Sequence, residues 1–308
     1  MATVLITGGT GSFGQAMVRH LLDTTSHDIR VFSRDEQKQD RMKREIGDAR
    51  VRYLLGDVRD APRVRRALRG CDYVVHAAAL KIIPAGEYNP DEVIKTNVLG
   101  SHNVVEACID EGVRHLVCIS SDKAVAPVNL YGNTKACMER LATLANQSSG
   151  NTNVSVVRYG NVIGSRGSIL TILKDQAASG SLRITHPDMT RFWITLQEAC
   201  VFVMRVMDQP DGGHIYVPPM RSCRVIDLCT YLYADVPIVY TGMRNGEKMH
   251  EWLTNEYEVI EDIGWAYRVD VARWAAGSKP ISSADTLVMV EELLGIGGML
   301  EQVRAAAV

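Results

Sequence analysis

The 308-residue chain lacks any long run of one charge. It carries 34 Lys and Arg residues against 36 Asp and Glu residues, which gives a formal net charge of −2. Without a basic block, nothing in the charge pattern indicates a nucleic-acid-binding protein. No apolar run approaches the roughly 20 residues that a membrane helix needs, and Met1 leads directly into an apolar strand, so we expect no signal peptide. These features predict a soluble, cytoplasmic protein with no nucleic-acid or membrane partner.

Paired cysteine motifs are missing as well. The seven cysteines are an odd number, and none stands in a Cys-x-x-Cys arrangement. Such usage favours a reducing compartment with thiols in the core, and it argues against disulfides or a zinc site. We therefore expect no bound metal.

The first 160 residues alternate apolar β-like runs with amphipathic stretches, and this alternation is typical of a doubly wound parallel sheet in an α/β fold. With 46% hydrophobic residues, the chain has enough apolar side chains for a large core. The predicted helices include Glu92–Asp110 and Leu130–Ala145. The predicted strands are Thr3–Ile6, Ile29–Phe32, Val51–Leu54, Tyr73–His76, His115–Ile119 and Val154–Arg158.

The rhythm of the chain changes near Gly160, where shorter segments rich in Gly, Pro and Arg begin. We expect residues 1–160 to form a dinucleotide-binding domain and residues 161–308 to form a smaller C-terminal α/β lobe for the substrate. The two parts are predicted to be interleaved, with returns to the main sheet from about residues 190–220. A closing helix is predicted over Ser283–Ala307, broken by three glycines between residues 295 and 298.

A glycine-rich turn separates the first strand from the first helix. Gly8, Gly9, Gly11 and Gly14 follow the apolar run that ends at Ile6. Because glycine has no side chain, backbone N–H groups in such a turn can reach a pyrophosphate at the positive end of the helix. The turn predicts a dinucleotide cradle.

The end of the second strand bears on the choice between NADP and NAD. An NAD-preferring fold usually has Asp or Glu at this position, to accept a hydrogen bond from the ribose 2′-hydroxyl. Here Ser33 is followed by Arg34, which can pair with a 2′-phosphate, and Lys38 lies one turn further on. Asp35 stands close enough to leave NAD open. The pattern favours NADP.

Two further strand ends are predicted to face the cofactor. After the third strand, Asp57 can accept from the adenine amine, with Val58 beside it. After the fourth strand, the small residues Ala77, Ala78 and Ala79 allow the backbone to approach the cofactor, although helix–sheet packing would explain them equally well.

A tyrosine and a lysine four residues apart mark the predicted helix Leu130–Ala145. Tyr131 and Lys135 share one face of that helix, where the ammonium can lower the pKa of the phenol enough for it to act as a base. Following the glycine turn in this order, the pair indicates an enzyme that performs redox chemistry on a hydroxyl group.

Ordered sequence blocks along nearly the whole chain resemble the extended short-chain dehydrogenase family, and within it the inverting nucleotide-sugar 4,6-dehydratases that act on UDP-N-acetylglucosamine. In place of the Thr-Asp-Glu run of retaining members, this chain has Ser121-Asp122-Lys123. The other blocks are Gly8–Gly14, Ser33–Glu36, His76–Lys81, Lys95–Gly100, Asn129–Gly132, Arg158–Asn161, Gly164–Gly167, Met189–Ile194 and Arg244–Glu251.

The resemblance implies a set of chemical roles. Tyr131, held as a phenolate by Lys135, would take the proton of the C4 hydroxyl while hydride leaves C4. The 4-ketone acidifies C5–H, and Lys123 can take that proton if burial and positive neighbours lower its pKa towards neutrality. Protonated Asp122 would give its proton to the departing 6-hydroxyl. A lysine at this position implies inversion at C5. A surface ion pair is the alternative interpretation of Asp122 and Lys123.

Other site residues are implied more loosely. Ser120 or Ser121 would bond the 4-oxygen of the substrate, Lys81 would lie near the pocket, and Asn161 would bond the nucleotide sugar near its diphosphate. Glu247 would accept from the uridine ribose. Three arginines supply bidentate partners for a diphosphate: Arg166, Arg191 and Arg244. The remaining cofactor contacts implied by the blocks are Thr10, Ser12, Phe13 and Asn97.

Three alternatives remain open at this stage. A UDP-sugar 4-epimerase needs no acid–base pair beyond Tyr and Lys, so Asp122 and Lys123 argue against it. A dehydratase acting on another nucleotide sugar would keep every motif named above. A non-catalytic NADP-sensing regulator can dispense with the Tyr131–Lys135 pair, which this chain retains. In each case the resemblance implies a homo-oligomer.

Overall fold

The structure, a computed structural model, describes residues 1–274, 279–288 and 292. Its helices are α1 Ser12–Thr24, α2 Glu36–Ile46, α3 Ala61–Leu68, α4 Ile83–Tyr88, α5 Pro90–Ile94, α6 Gly100–Asp110, α7 Leu130–Ala145, α8 Ile169–Ala178, α9 Leu196–Met207 and α10 Val225–Leu232. Its strands are β1 Thr3–Thr7, β2 Asp28–Ser33, β3 Val51–Leu55, β4 Tyr73–His76, β5 His115–Ile119, β6 Asn153–Val157, β7 Asn161–Val162, β8 Leu182–Ile184, β9 Thr190–Ile194, β10 His214–Val217, β11 Arg221–Arg224, β12 Ile238–Tyr240, β13 Glu258–Asp262 and β14 Tyr267–Trp274.

A nine-stranded sheet forms the centre of the part of the chain that the structure describes. Its strand order is β13-β14-β10-β6-β5-β4-β1-β2-β3. The strands from β10 to β3 pair in parallel, whereas β14 runs antiparallel to both β10 and β13. The order reverses between β1 and β4, and at such a switch point the carboxyl ends of the strands open a crevice for ligands. The doubly wound α/β fold is therefore confirmed.

The predicted strands agree with the observed ones to within one residue at each end. All five residues of β5 are buried, as expected for a strand covered by helices on both faces. The predicted helix Glu92–Asp110 is observed as three joined segments, because a π-helical turn over Lys95–Leu99 separates α5 from α6. Sequence periodicity does not reveal such a turn, which inserts one extra residue into an otherwise α-helical path.

Smaller elements pack beside the main sheet. Strands β11, β9 and β7 form one sheet, and β12 pairs with β8 in another. Between them, buried apolar residues of β8, β9 and α10 form two separate small clusters. Among the described residues, no helix combines the length and the apolar character that crossing a membrane requires.

The predicted closing helix is wrong at its start, over residues 283–288. Residues 283–286 form a turn, and Leu287 makes an isolated bridge to Ser222. The backbone of this turn is tied to neighbouring segments, since the Ser283 N–H donates to the carbonyl of Glu251. Residue 288 is not helical, residue 292 is helical as predicted, and the rest of the predicted helix lies outside the described residues.

Candidate active site

The glycine turn has no space for side chains. Gly8 has a φ of +65°, and a Cβ there would lie 2.9 Å from the backbone of Ala78. A Cβ on Gly14 would lie 2.5 Å from the Cα of Gly9. Gly11 caps α1 without a side-chain hydrogen bond, so the first N–H groups of the helix have no capping side chain. A cradle that any Cβ would fill, at the positive end of a 13-residue helix, fits the pyrophosphate of a dinucleotide.

The predicted adenosine end of the site carries a positive side chain, Arg34, and a negative one, Asp57. Arg34 is half exposed, and its Nη1 lies 3.4 Å from Asp57 Oδ2. Asp57 also pairs with Arg59 at 2.6 Å. Burial opposes ionisation of Asp57, but Arg59 and Arg34 outweigh it and lower its pKa. Asp57 is thus an ionised hydrogen-bond acceptor beside a free face of Arg34.

Residues around Arg34 are occupied by local contacts. The Ser33 hydroxyl accepts from Gln39 Nε2 at 3.0 Å and is almost fully buried. Lys38 Nζ lies 2.5 Å from Asp35, whose carboxylate also caps α2. The Asp35 carboxylate therefore already has partners in the first turn of α2 and in the Lys38 ammonium. This geometry leaves Arg34 as the more available of the two charges that follow Ser33.

The end of β4 is held by buried polar contacts. Thr7 Oγ1 lies 2.7 Å from His76 Nδ1 and accepts from the Ala78 N–H at 3.2 Å. Asn97, on the π-helical turn, bonds both backbone groups of Leu80, at 2.8 and 2.9 Å. Its amide also donates to Thr134, so the Asn97 side chain positions the segment after β4.

The remaining predicted cofactor residues lie in or beside this region. Val58 is buried, and Phe13 packs on the core from α1. The carbonyl of Thr10 and the hydroxyl of Ser12 both accept hydrogen bonds from Arg166, which belongs to the segment after β7. Arg166 was predicted to bind the substrate, and the structure places it against the glycine turn.

The buried end of β5 brings four predicted residues together. The Ser121 hydroxyl donates to Asp122 Oδ1 at 2.7 Å, and Lys123 Nζ donates to the same oxygen at 3.0 Å. Asp122 is fully buried, and within the described chain its Oδ2 atom has no hydrogen-bond partner. Lys123 Nζ also lies 3.3 Å from Asn161 Oδ1. Because Asp122 has no exposure, the surface ion pair is excluded.

The two charges of this pair respond differently to their surroundings. Burial raises the pKa of Asp122, and the nearby Glu251 carboxylate raises it further, which suits the predicted acid. Burial opposes charge on Lys123, yet Asp122 and Glu251 outweigh it and raise its pKa. The expectation that positive neighbours bring the pKa of Lys123 towards neutrality is therefore wrong, because two carboxylates face this amine.

The predicted phenolate is also corrected. Burial raises the pKa of Tyr131 to about 12, and the Lys123 charge and the Ser121 hydroxyl only partly oppose this rise. Lys135 Nζ donates to the carbonyl of Ile119 at 2.6 Å, and burial lowers its pKa to about 8. In the protein alone, Tyr131 is a neutral phenol near the Asp122–Lys123 pair.

The structure separates the two serines that the sequence left equivalent. Ser120 Oγ donates to Glu139 at 2.6 Å, inside a buried network with Arg158. Ser121 Oγ donates a hydrogen bond to Asp122, and it also interacts with the Tyr131 phenol, where it partly opposes the rise of the pKa. Only Ser121 therefore lies with the reacting groups.

Two residues of this site were missed from the sequence. Glu251 is buried, with Oε1 at 3.5 Å from Lys123 Nζ and Oε2 at 3.4 Å from Lys248 Nζ. Lys248 also donates to the carbonyl of Val125 at 2.6 Å. Both belong to the block Arg244–Glu251, so the block was the available signal. The sequence does not show that the charges of Glu251 and Lys248 act on Lys123, because only the fold brings the two segments together.

The other predicted substrate residues are spread over a wider area. Arg191 is buried beside Glu251, with Nε at 3.9 Å from Oε1, and it donates to the carbonyls of residues 190, 248 and 249. Lys81 Nζ lies 3.5 Å from Ser165. Arg244 is exposed, and its N–H donates to Glu247 at 3.2 Å. Lys81 and Arg191 thus lie close to the Lys123 charge, whereas no described contact ties Arg244 to it.

Several known proteins are similar to this chain over most of its length. A family model described as "Polysaccharide biosynthesis protein" matches residues 4–270. The inverting UDP-N-acetylglucosamine 4,6-dehydratase of Campylobacter jejuni is 45% identical over 253 residues, covering 80% of this chain and 76% of its own. The UDP-glucose 4-epimerase of Rickettsia akari is 39% identical over 280 residues, covering 87% and 82%.

Solved structures have the same fold. The X-ray structure of Pen from Bacillus thuringiensis superposes with a TM-score of 0.89 at 34% identity, covering 98% of this chain and 97% of its own. The dTDP-glucose 4,6-dehydratase DesIV from Streptomyces venezuelae, solved with NAD and TYD bound, has a TM-score of 0.72 at 22% identity, covering 80% and 86%. The second likeness concerns the fold alone.

Proposed function

The chain belongs to the polysaccharide biosynthesis protein family of extended short-chain dehydrogenases, and from this premise we propose that it is an inverting UDP-N-acetylglucosamine 4,6-dehydratase. The product would be a UDP-4-keto-6-deoxy-hexosamine with C5 inverted. The single observation that carries the proposal is the buried Asp122–Lys123 pair, whose charged atoms are 3.0 Å apart beside Ser121 and Tyr131. An acid and a base held together can remove water across C5 and C6.

The proposed residues would act in sequence. Burial keeps Tyr131 neutral in the protein alone, so it would first have to lose its phenol proton, and as the phenolate it would then take the proton of the C4 hydroxyl. A bound nicotinamide dinucleotide would supply the hydride acceptor and donor of the reaction. Lys123, as the neutral amine, takes the proton from C5, which the 4-ketone has made acidic. Asp122 protonates the departing C6 oxygen, which leaves as water. Lys123 takes the C5 proton from the face of C5 that carries the C–H bond, and C5 is inverted because it is then reprotonated from the opposite face.

Substrate binding is the proposed task of residues 161–308, working together with residues 1–160. Asn161 lies within hydrogen-bond distance of Lys123 and can reach the sugar from the same place. Arg191, Arg244 and Glu247 are proposed to bind the nucleotide diphosphate and ribose. In the same proposal the protein is a homo-oligomer in the cytoplasm. The cytoplasmic location is in keeping with seven free thiols, of which six are buried.

NADP is the proposed cofactor. The described geometry leaves Arg34 half exposed at the end of β2, although it lies 3.4 Å from Asp57, while the neighbouring Asp35 carboxylate caps α2. Arg34 is then the partner of a 2′-phosphate. Gly8, Gly11, Gly14 and the first turn of α1 would hold the pyrophosphate.

A UDP-sugar 4-epimerase is the second candidate, since the Rickettsia relative carries that name. The test is to incubate the protein with UDP-N-acetylglucosamine and to weigh the product by mass spectrometry. Loss of one water supports the dehydratase. An unchanged mass with a new sugar epimer on NMR supports the epimerase and overturns our proposal.

A further inference from the structure

Glu251 is a buried carboxylate to which the proposed reaction gives no role. It is 3% exposed, and three cations surround it: Lys123 at 3.5 Å, Lys248 at 3.4 Å and Arg191 at 3.9 Å. A buried charge is costly unless it is paired, so this carboxylate stays ionised through these three partners. Although burial opposes ionisation, Lys123, Arg191 and Lys248 outweigh it and lower the pKa of Glu251.

The backbone of Glu251 is fixed by a segment distant in sequence. Its N–H donates to Ser283 Oγ at 2.9 Å, and its carbonyl accepts from the Ser283 N–H at 2.9 Å. Ser283 Oγ in turn lies 2.6 Å from Thr190 Oγ1, next to Arg191 on β9. These bonds fix the backbone of Glu251 at a position from which its carboxylate reaches Lys123.

We propose that Glu251 is a positioning residue for Lys123: it holds the amine beside Asp122 and balances the ammonium charge formed when Lys123 takes the C5 proton. The inference rests on the proposed dehydratase reaction. In that step the C5–H bond breaks, its proton bonds to Lys123 Nζ, and its electron pair passes into the enolate of the 4-ketone. The C6–O bond then breaks, and the oxygen leaves as water with the proton of Asp122.

The charge balance around Lys123 supports this role. Three groups that interact with Lys123 are negative or can become negative: Asp122, Glu251 and Tyr131. Three cations also interact with it: Arg191, Lys81 and Lys248. Without Glu251, Asp122 alone would oppose three cations. Because Asp122 must be protonated to act as the acid, no carboxylate would then be left to stabilise the ammonium form of Lys123.

The test is the pH dependence of turnover in Glu251→Gln, with the exposed Glu256→Gln as the matched control. The rate rises with pH as Lys123 loses its proton, and removing Glu251 makes that loss easier. We expect the acid limb of the kcat profile to move to lower pH by about one unit or more, the usual effect of a close opposite charge. The plateau of kcat should fall, with KM little changed. Glu256→Gln should leave both unchanged.

Two further measurements keep the inference testable. Glu251→Asp retains the charge, so its acid limb should return towards that of the parent protein even if kcat is lower. An acid limb that stays in place in Glu251→Gln, while water loss continues, overturns the role of Glu251 alone. If the parent protein removes no water, the proposed function fails separately. In that case the pH midpoint of reductive methylation at Lys123, read by peptide mass spectrometry, must still be lower in Glu251→Gln than in the parent protein. An unchanged pH midpoint contradicts the inference.

Discussion

Arg158 binds Glu139 through two parallel hydrogen bonds, from Nε to Oε1 over 2.9 Å and from Nη2 to Oε2 over 2.7 Å. The same guanidinium also bonds Glu258, at 2.8 and 3.0 Å. All three side chains are almost fully buried. Since Glu139 belongs to α7, this network ties the helix of Tyr131 and Lys135 to β6 and to the start of β13.

Breaking this network should destabilise the protein. Glu258→Ala removes one of two carboxylates and leaves the buried Arg158 charge only partly paired, so we expect the free energy of unfolding to fall by about 3–5 kcal/mol. Chemical denaturation measures the loss. The exposed Glu256→Ala should change stability by less than about 0.5 kcal/mol. A Glu258→Ala protein as stable as that control would show that the network contributes no stability.

The cofactor prediction concerns Arg34. We expect the protein to bind NADP more tightly than NAD, and Arg34→Ala to remove about 1.5–3 kcal/mol of that preference, the range for a hydrogen bond to a charged group. Calorimetric titration with both dinucleotides gives the two affinities. Equal affinities in the unsubstituted protein would refute the NADP assignment.

The C4 step should depend on the Tyr131 hydroxyl. Tyr131→Phe keeps the buried ring and removes the proton acceptor, so turnover should fall by at least ~10²-fold, as for loss of a positioned acid–base group. Substrate affinity, measured by equilibrium binding, should change little. Near-normal turnover in the variant would mean that a different group takes the C4 proton.

Buried histidines predict how stability depends on pH. Burial, with a smaller effect of the Lys135 charge, lowers the pKa of His76 to about 3, whereas an unfolded histidine titrates near 6.5. Above pH 6.5 both states are neutral. Below it the unfolded state binds a proton that folded His76 refuses, so the free energy of unfolding falls as the pH drops from 6.5 towards 3, by about 1.4 kcal/mol per unit.

Denaturation at pH 7 and pH 5 checks this. The loss between the two values should shrink in His76→Asn and stay the same in His102→Asn, since His102 is exposed on α6. His115, whose burial lowers its pKa to about 4, should retain its own share of the loss in both variants. A pH dependence unaltered by His76→Asn would contradict the prediction.

Much of the fold could be predicted from the sequence because its signals are local. The strands β1 to β6 follow local runs rich in apolar residues, and Asn129 accepts from the Gly132 N–H at the start of α7, as a helix-starting residue should. The π-helical turn over Lys95–Leu99 was not predictable, since its residues show no change of period. The start of the predicted helix Ser283–Ala307 was wrong because long-range bonds to Ser222 and Glu251 hold residues 283–288 in a turn and a bridge.

The candidate site divides in the same way. The sequence shows the order of the candidate groups Asp122, Lys123, Tyr131 and Lys135. It also shows that they have the chemical types that the proposed reaction requires. Which serine faces the pair, and which carboxylate pairs with Lys123, depend on contacts between distant segments. The raised pKa of Lys123 follows from Asp122 together with Glu251, and no spacing rule connects Glu251 to Lys123. Sequence reasoning therefore named the candidate groups and their chemical types, but it did not predict their electrostatics.

The most direct test of the account is where solvent deuterium enters the product. With the unsubstituted protein in deuterated water, UDP-N-acetylglucosamine should give a 4-keto-6-deoxy sugar with deuterium at C5 and inverted configuration there, as read by NMR. Lys123→Met, which cannot take a proton, should still oxidise C4, seen as reduced-cofactor absorbance, but should release no water. Normal water loss by Lys123→Met, or a product whose C5 keeps its original configuration, would contradict the account.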